Sequence, residues 1–144
     1  MTLRQISVFI ENDKGTLCAI TEQLAAAGID LVAMVVADTQ NYGILRIITD
    51  NTDGALELLQ AHGYIATVTP VLAVDVPNET GGLARVLRIL SGADVNVEYV
   101  YSFVASANSS RAYVVLRVQD NEKAADALTG QGIRLLSEAD MAFL

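Results

Sequence analysis

Residues 9–17 read FIENDKGTL, and residues 75–83 read DVPNETGGL. Each follows an alternating apolar stretch, precedes a helical pattern, and carries Asn-x-x-Gly-x-Leu. Asn12 and Asn78 stand 66 residues apart, as do Gly15 and Gly81, and Leu17 and Leu83. Farther on, Leu59 pairs with Leu128 and Gly63 with Gly132 at an offset of 69. The chain is therefore a duplication, and the second copy has gained three residues, most simply within Ala105–Ser110. Two copies are too few for a solenoid and suit a pair of small domains, 1–69 and 70–144.

Each copy reads strand, helix, strand, strand, helix, strand. Ile6, Val8 and Ile10 alternate with Gln5, Ser7 and Phe9, the period of a strand with one buried face, and Leu72, Val74 and Val76 repeat it. Leu17, Ile20 and Leu24 form a helical stripe, matched by Leu83, Val86, Leu87 and Leu90. Gly28 is placed to end the first helix, and Gly92 lies near the end of its counterpart. Two β-rich runs follow in each copy, 29–37 and 42–49, then 95–105 and 111–118. Shorter helices carry Ala55, Leu56 and Leu59, then Ala124, Ala125 and Leu128, before final strands near 64–69 and 133–137. This order predicts an α+β protein: two ferredoxin-like βαββαβ domains packed side by side, with antiparallel sheets and helices on one face. The tail from Glu138 to Leu144 has no equivalent; its Met141, Phe143 and Leu144 either dock on a neighbouring chain or fray.

Composition narrows the function. With 52% hydrophobic residues and two prolines among 144, the chain can bury a core. A formal charge of −8 argues against a nucleic-acid partner, because phosphates are bound by Lys and Arg. The single cysteine, Cys18, forms no internal disulfide, which fits a reducing cytoplasm. No signal peptide or membrane span is expected: acidic residues follow the first apolar run, and the uncharged stretch 58–74 contains Gly63 and Pro70.

A loop from strand to helix presents unpaired backbone N–H groups where the helix dipole favours negative charge. Gly15 and Gly81 permit φ > 0 or close approach of a ligand, and Asn12 offers a donor and an acceptor. A zwitterion would satisfy such a loop. Turn geometry and capping alone use the same residues, so the motif by itself leaves both readings open.

IENDKGTLCAITEQLAAAGIDL and VPNETGGLARVLRILSGADVNV both resemble the ACT domain, a regulatory amino-acid-binding module of many enzymes of amino-acid metabolism. The resemblance covers both halves, and ADTQNYGILRI is similar to short bacterial proteins made of two ACT domains. Where ACT domains bind serine on 3-phosphoglycerate dehydrogenase, one loop asparagine and one early in the second strand hold it across a domain interface. Carried over, these positions are Asn12 and Asp30 in the first copy, and Asn78 and Asn96 in the second. The resemblance implies that Asp13, Lys14, Gly15, Thr16 and Leu17 complete the first loop's contacts, and Glu79, Thr80, Gly81, Gly82 and Leu83 the second's. Asp30 departs from the asparagine, and Lys14 and Thr80 replace the family's usual proline. Met34, Val35, Val100 and Tyr101 are further contact candidates that serve equally well as sheet-face residues.

Catalytic arrangements are scarce. His62 stands near a helix end, where capping suffices, and Cys18 reads as a small packing residue without a histidine nearby. Metal-ligand spacings, a P-loop and a G-x-G-x-x-G fingerprint are missing, so no metal or cofactor is expected. Tyr99, Tyr101 and Tyr113 suit the core or a subunit contact better than base stacking. The expectation is a non-enzymatic amino-acid sensor, homodimeric, acting on an enzyme of amino-acid metabolism. The alternative is an interaction module that docks on such an enzyme without a ligand.

Overall fold

The computed structural model describes residues 1–38, 41–103 and 110–142. Thr39, Gln40, the expected insertion within Ala105–Ser110 apart from Ser110, and Phe143 and Leu144 lie outside the described residues. The elements are β1 (Leu3–Glu11), α1 (Thr16–Ala26), β2 (Leu31–Asp38), β3 (Tyr42–Thr49), α2 (Thr52–Ala61) and β4 (Ile65–Pro77). They continue with α3 (Gly82–Gly92), β5 (Val97–Phe103), β6 (Arg111–Val118), α4 (Asn121–Gly130), β7 (Arg134–Leu135) and α5 (Glu138–Met141). The chain divides into two compact units, Arg4–Thr69 and Pro70–Leu144 with Met1–Leu3. The division falls inside β4, which runs through Pro70 without a break.

In the first unit the strand order is β2-β3-β1-β4, with β3 antiparallel to β1 and to β2. Ile6, Val8, Ile10, Leu45 and Ile47 present one face, onto which Ile20 and Leu24 of α1 and Ala55 and Leu59 of α2 pack. The second unit repeats this. There β4 pairs with β6 and β7, β6 with β5, and Leu72, Val74, Val76, Val114 and Leu116 meet Val86, Leu90, Ala124 and Leu128. Nearly every core position has its counterpart at the offsets read from the sequence. Burying each such aliphatic side chain contributes about 1.5–3 kcal/mol, so matched patterns build matched units.

Two details differ from the expected pattern. Leu17 and Leu83 leave their helical stripes, being 38% and 40% exposed, because each sits in the first turn beyond the sheet's cover. The last strand of the second copy shrinks to Arg134–Leu135.

The helix ends explain where the chain turns. Gly28 follows α1 at φ 71°, with Ile29 N–H donating to Leu24 O at 3.0 Å. In the second unit the same left-handed position falls not on Gly92, which is still helical, but on Asp94 at φ 57°. Val95 N–H donates there to Leu90 O at 2.9 Å. Aspartate tolerates this conformation better than most residues yet still strains its Cβ. Asp94→Gly should therefore stabilise the protein by about 0.5–1 kcal/mol, and Gly28→Ala should cost about 1 kcal/mol. Urea denaturation reads both, and a destabilised Asp94→Gly would contradict the strain.

The C-terminal α5 starts with a capping box in which Ser137 and Asp140 bond each other's backbone and side chain. Asp140 accepts from the Ser137 N–H at 2.7 Å, the Ser137 hydroxyl at 2.7 Å and Arg134 at 2.8 Å. The backbone bond, then the hydroxyl bond and the Arg134 charge, hold its pKa below the ordinary 3.8. A folded-state pKa below the unfolded one stabilises fully above the unfolded value and is lost as pH falls through the folded one. The Met141 amide, which donates to Ser137 O, should thus titrate in an NMR pH series with a midpoint below 3.8. A midpoint at or above that value would refute the cap.

Candidate functional site

The two Asn-x-x-Gly loops share three backbone hydrogen bonds, and the second adds one from Glu79 N–H to Pro77 O at 2.9 Å. Gly15 and Gly81 take φ 88° and φ 89° and are the N-cap residues of α1 and α3. Ala19 N–H donates to Gly15 O, and Arg85 N–H to Gly81 O. Thr16 N–H donates to Asp13 O as Gly82 N–H does to Glu79 O, and Asn12 N–H to Asn41 O as Asn78 N–H does to Ser110 O. The duplication thus extends to the hydrogen bonds.

Neither helix start receives a side-chain cap. The other helices differ: Asn51 accepts from Gly54 N–H at 3.0 Å to start α2, and Asp120 from Lys123 N–H at 3.0 Å to start α4. The first turns of α1 and α3 are therefore the ones whose donors the fold leaves to something other than a side chain.

In the first unit Asn12, Asp13, Gly15, Thr16 and Leu17 border a cavity of about 200 Å³. The structure adds Val36, Asp38, Gly43 and Cys18 to that border. Sequence reading missed Val36 and Asp38 because only the register brings them there: Asp38 pairs with Gly43, and Gly43 with Ile10. Lys14 lines a neighbouring cleft instead, shared with Gly15 and Thr16.

Asp30 is not brought to the loop. It precedes β2 at the far end of α1, whose 11 residues span about 16 Å. Its N–H donates to the Asp50 carboxylate at 2.9 Å. Asn96 likewise stands just before β5, at the other end of α3 from Asn78. Asn78, Glu79, Thr80 and Gly81 are exposed at the second loop, with Leu83. Gly82 is held tightly there: a Cβ on it would lie 2.6 Å from Pro77 O, so the Thr of the first loop has no room in the second.

The remaining candidates separate by burial. Met34 and Val100, at equivalent positions of β2 and β5, are 43% and 39% exposed. Val35 is half-buried, while Tyr101 belongs to the core and Tyr113 stacks on Phe103 at 5.4 Å. His62 is the C-cap of α2, its Nδ1 lying 2.8 Å from Leu58 O. Among the described residues no group of three or more His, Cys, Asp or Glu could hold a metal ion. No described helix is long and apolar enough to cross a membrane.

Cys18 is exposed, not the packing residue its sequence context suggests. Its thiol donates to Glu22, 3.5 Å away, and that bond, followed by the Glu22 charge, pushes its pKa above the ordinary 9.0. The thiolate, which is the nucleophile, thus forms only at higher pH. Iodoacetamide should modify Cys18 several-fold more slowly than a free cysteine at pH 8, and Glu22→Gln should speed it. Equal rates in wild type and variant would refute the assignment.

The model of the ACT domain pair matches residues 1–144. A protein of Bacteroides thetaiotaomicron of known crystal structure is 37% identical, with a TM-score of 0.92, over 100% of this chain and 98% of that one. The ligand-free regulatory subunit of aspartate kinase from Thermus thermophilus shares the fold at 20% identity and TM-score 0.66, over 88% of this chain and 91% of that one. The Clostridium acetobutylicum aspartate kinase contains the fold at 17% identity and TM-score 0.53, over 90% of this chain and 32% of that one. No curated protein matches the chain.

Proposed function

This chain belongs to the ACT domain-pair family over its whole length, and from that premise we propose a non-catalytic regulatory protein that binds a small amino acid between ACT domains. The observation that carries the reading is the pair of loops with three hydrogen bonds in common and helix starts that no side chain caps. Backbone N–H groups of this kind suit a carboxylate, and the exposed Asn12 and Asn78 suit an ammonium. Because Asp30 and Asn96 lie a helix length from the loops of their own units, a ligand touching both kinds of residue takes them from different ACT domains.

A homodimer supplies such an arrangement. Each unit exposes apolar side chains at the same positions, Leu17 and Met34 in the first and Leu83 and Val100 in the second. Exposed apolar residues at duplicated positions support a surface meant to be covered. The fold shared with aspartate kinase regulatory subunits supports a regulatory part, with an enzyme of amino-acid metabolism as partner and the cytoplasm as the place of work. Regulation then requires that the amino acid bind one state more tightly than another.

Thermal-shift screening of the twenty amino acids tests this. One small amino acid should raise the melting temperature, since a ligand at a hundred times its Kd adds about 2.7 kcal/mol. Asn78→Ala with Asn96→Ala should remove most of that gain. Flat responses to all twenty, or a shift that survives the double substitution, would overturn the reading. Sedimentation velocity on the same samples reads the dimer, and a lone 15.3 kDa species contradicts it.

A further inference from the structure

The first unit holds a second recess, which borders the first loop at Lys14, Gly15 and Thr16. It is a cleft of about 700 Å³ between the start of α1 and the turn from α2 into β4. Its wall is aromatic: Phe9 and Tyr42 face each other with ring centroids 6.4 Å apart, and Tyr64 stands across from them on the turn. Phe9, Tyr42 and Ile65, all lining it, are 51%, 52% and 68% exposed. Water is a poor neighbour for that much apolar surface in one place. The polar side chains of the lining are Lys14, Glu11, His62 and Thr16, beside the tyrosines Tyr42 and Tyr64.

The duplication supplies a control inside the same molecule. At the sequence offsets, Phe9 corresponds to Asp75, Tyr42 to Arg111, Ile65 to Arg134, Ala19 to Arg85 and His62 to Gln131. The register agrees, since Glu11 pairs with Tyr42 as Pro77 pairs with Arg111. In the second unit these residues bond to one another. Arg111 Nε donates to Asp75 at 2.7 Å and Arg134 lies 3.7 Å from the same carboxylate. Arg85 reaches from α3 to donate to Gln131 O at 3.1 Å. Where the second unit has Arg85 on its helix and an ion pair at its strands, the first has Ala19 and the exposed rings of Phe9 and Tyr42.

We propose that the first-unit cleft is a binding site for an aromatic carboxylate carrying a ring hydroxyl or N–H. The ring packs against Phe9 and Tyr42, where offset or edge-on contact is favourable. The carboxylate pairs with Lys14, which lines the cleft close to the first N–H groups of α1. The ring donor is taken by Glu11 or by His62, whose Nδ1 is engaged with Leu58 O and leaves Nε2. One cation and one anion in the lining do not suit a phosphate of two or more charges, which Glu11 and the chain's net charge of −8 would oppose. The volume lies within the range of small-molecule sites. This site shares Lys14, Gly15 and Thr16 with the first loop of the amino-acid reading but needs neither Asn78 nor Asn96.

The test is an NMR titration of the full chain with 4-hydroxyphenylacetate. Amides of Lys14, Ala19 and Gly63 should shift and saturate, while Gly132, the equivalent of Gly63, should not move. Acetate, lacking the ring, should leave all four unmoved at the same concentration. Ala19→Arg transplants the second unit's bridge into the cleft and should weaken binding tenfold or more. Tyr42→Ala should weaken it about five- to tenfold, the scale of one aromatic contact; it gives the same reading if Ala19→Arg does not fold. Shifts absent or equal at Gly63 and Gly132, equal binding of acetate, or a folded Ala19→Arg or Tyr42→Ala that binds as wild type would each overturn the proposal. Asn78→Ala with Asn96→Ala should leave this titration unchanged, so it stands or falls apart from the amino-acid reading.

Discussion

A buried strand must give way, within four residues, to a helix lying on that strand's own buried face. Ile6, Val8 and Ile10 face Ile20 and Leu24, and the link between them is Asn12 to Gly15. Leu72, Val74 and Val76 face Val86 and Leu90 across Asn78 to Gly81. So tight a reversal needs a left-handed residue, and glycine takes it without steric cost. Gly15 and Gly81 then become the N-caps, and a residue without a side chain cannot satisfy the N–H groups ahead of it. The uncommitted donors at these two points follow from how the core closes.

This constraint was legible because it leaves two marks in the sequence, a period of two and an offset that persists. The core could be read almost position by position. Burial at the rim could not: periodicity gives the face a leucine points to, but not how far the sheet reaches beneath it, and so Leu17 and Leu83 emerge partly exposed. The left-handed end of α3 was hidden by Gly92, a glycine close enough to the helix end to draw the eye from Asp94. Asp38 and Val36 reach the first loop through two strand registers, and no spacing along the chain announces that. Asp30 lies a helix length from the loop of its own copy, in keeping with a position expected to act across a domain interface.

Duplication separates what packing demands from what it permits. The αL glycines, the loop hydrogen bonds and the caps at Asn51 and Asp120 recur because the same reversals recur. Away from the core, the copies diverge in chemistry at constant geometry. Asp75 is 9% exposed at its side chain, and removing a charge this far from water is costly unless it is paired; Arg111 meets both its carboxylate and its backbone oxygen. Phe9 and Tyr42 occupy the same places without that demand. One backbone thus carries an ion-paired surface in one copy and exposed aromatic rings in the other.

The stiffness of the loops also limits how a ligand could regulate. Three backbone bonds hold the first loop and four the second, each with a left-handed glycine, and remodelling either would break them. A small ligand bound as proposed would act not by reshaping the loop that receives it but through what it touches on its far side, where affinity can differ between two arrangements. On the proposed reading the rigid half fixes the ligand's position, and specificity falls to the opposing surface, where Asp30 and Asn96 differ between the copies.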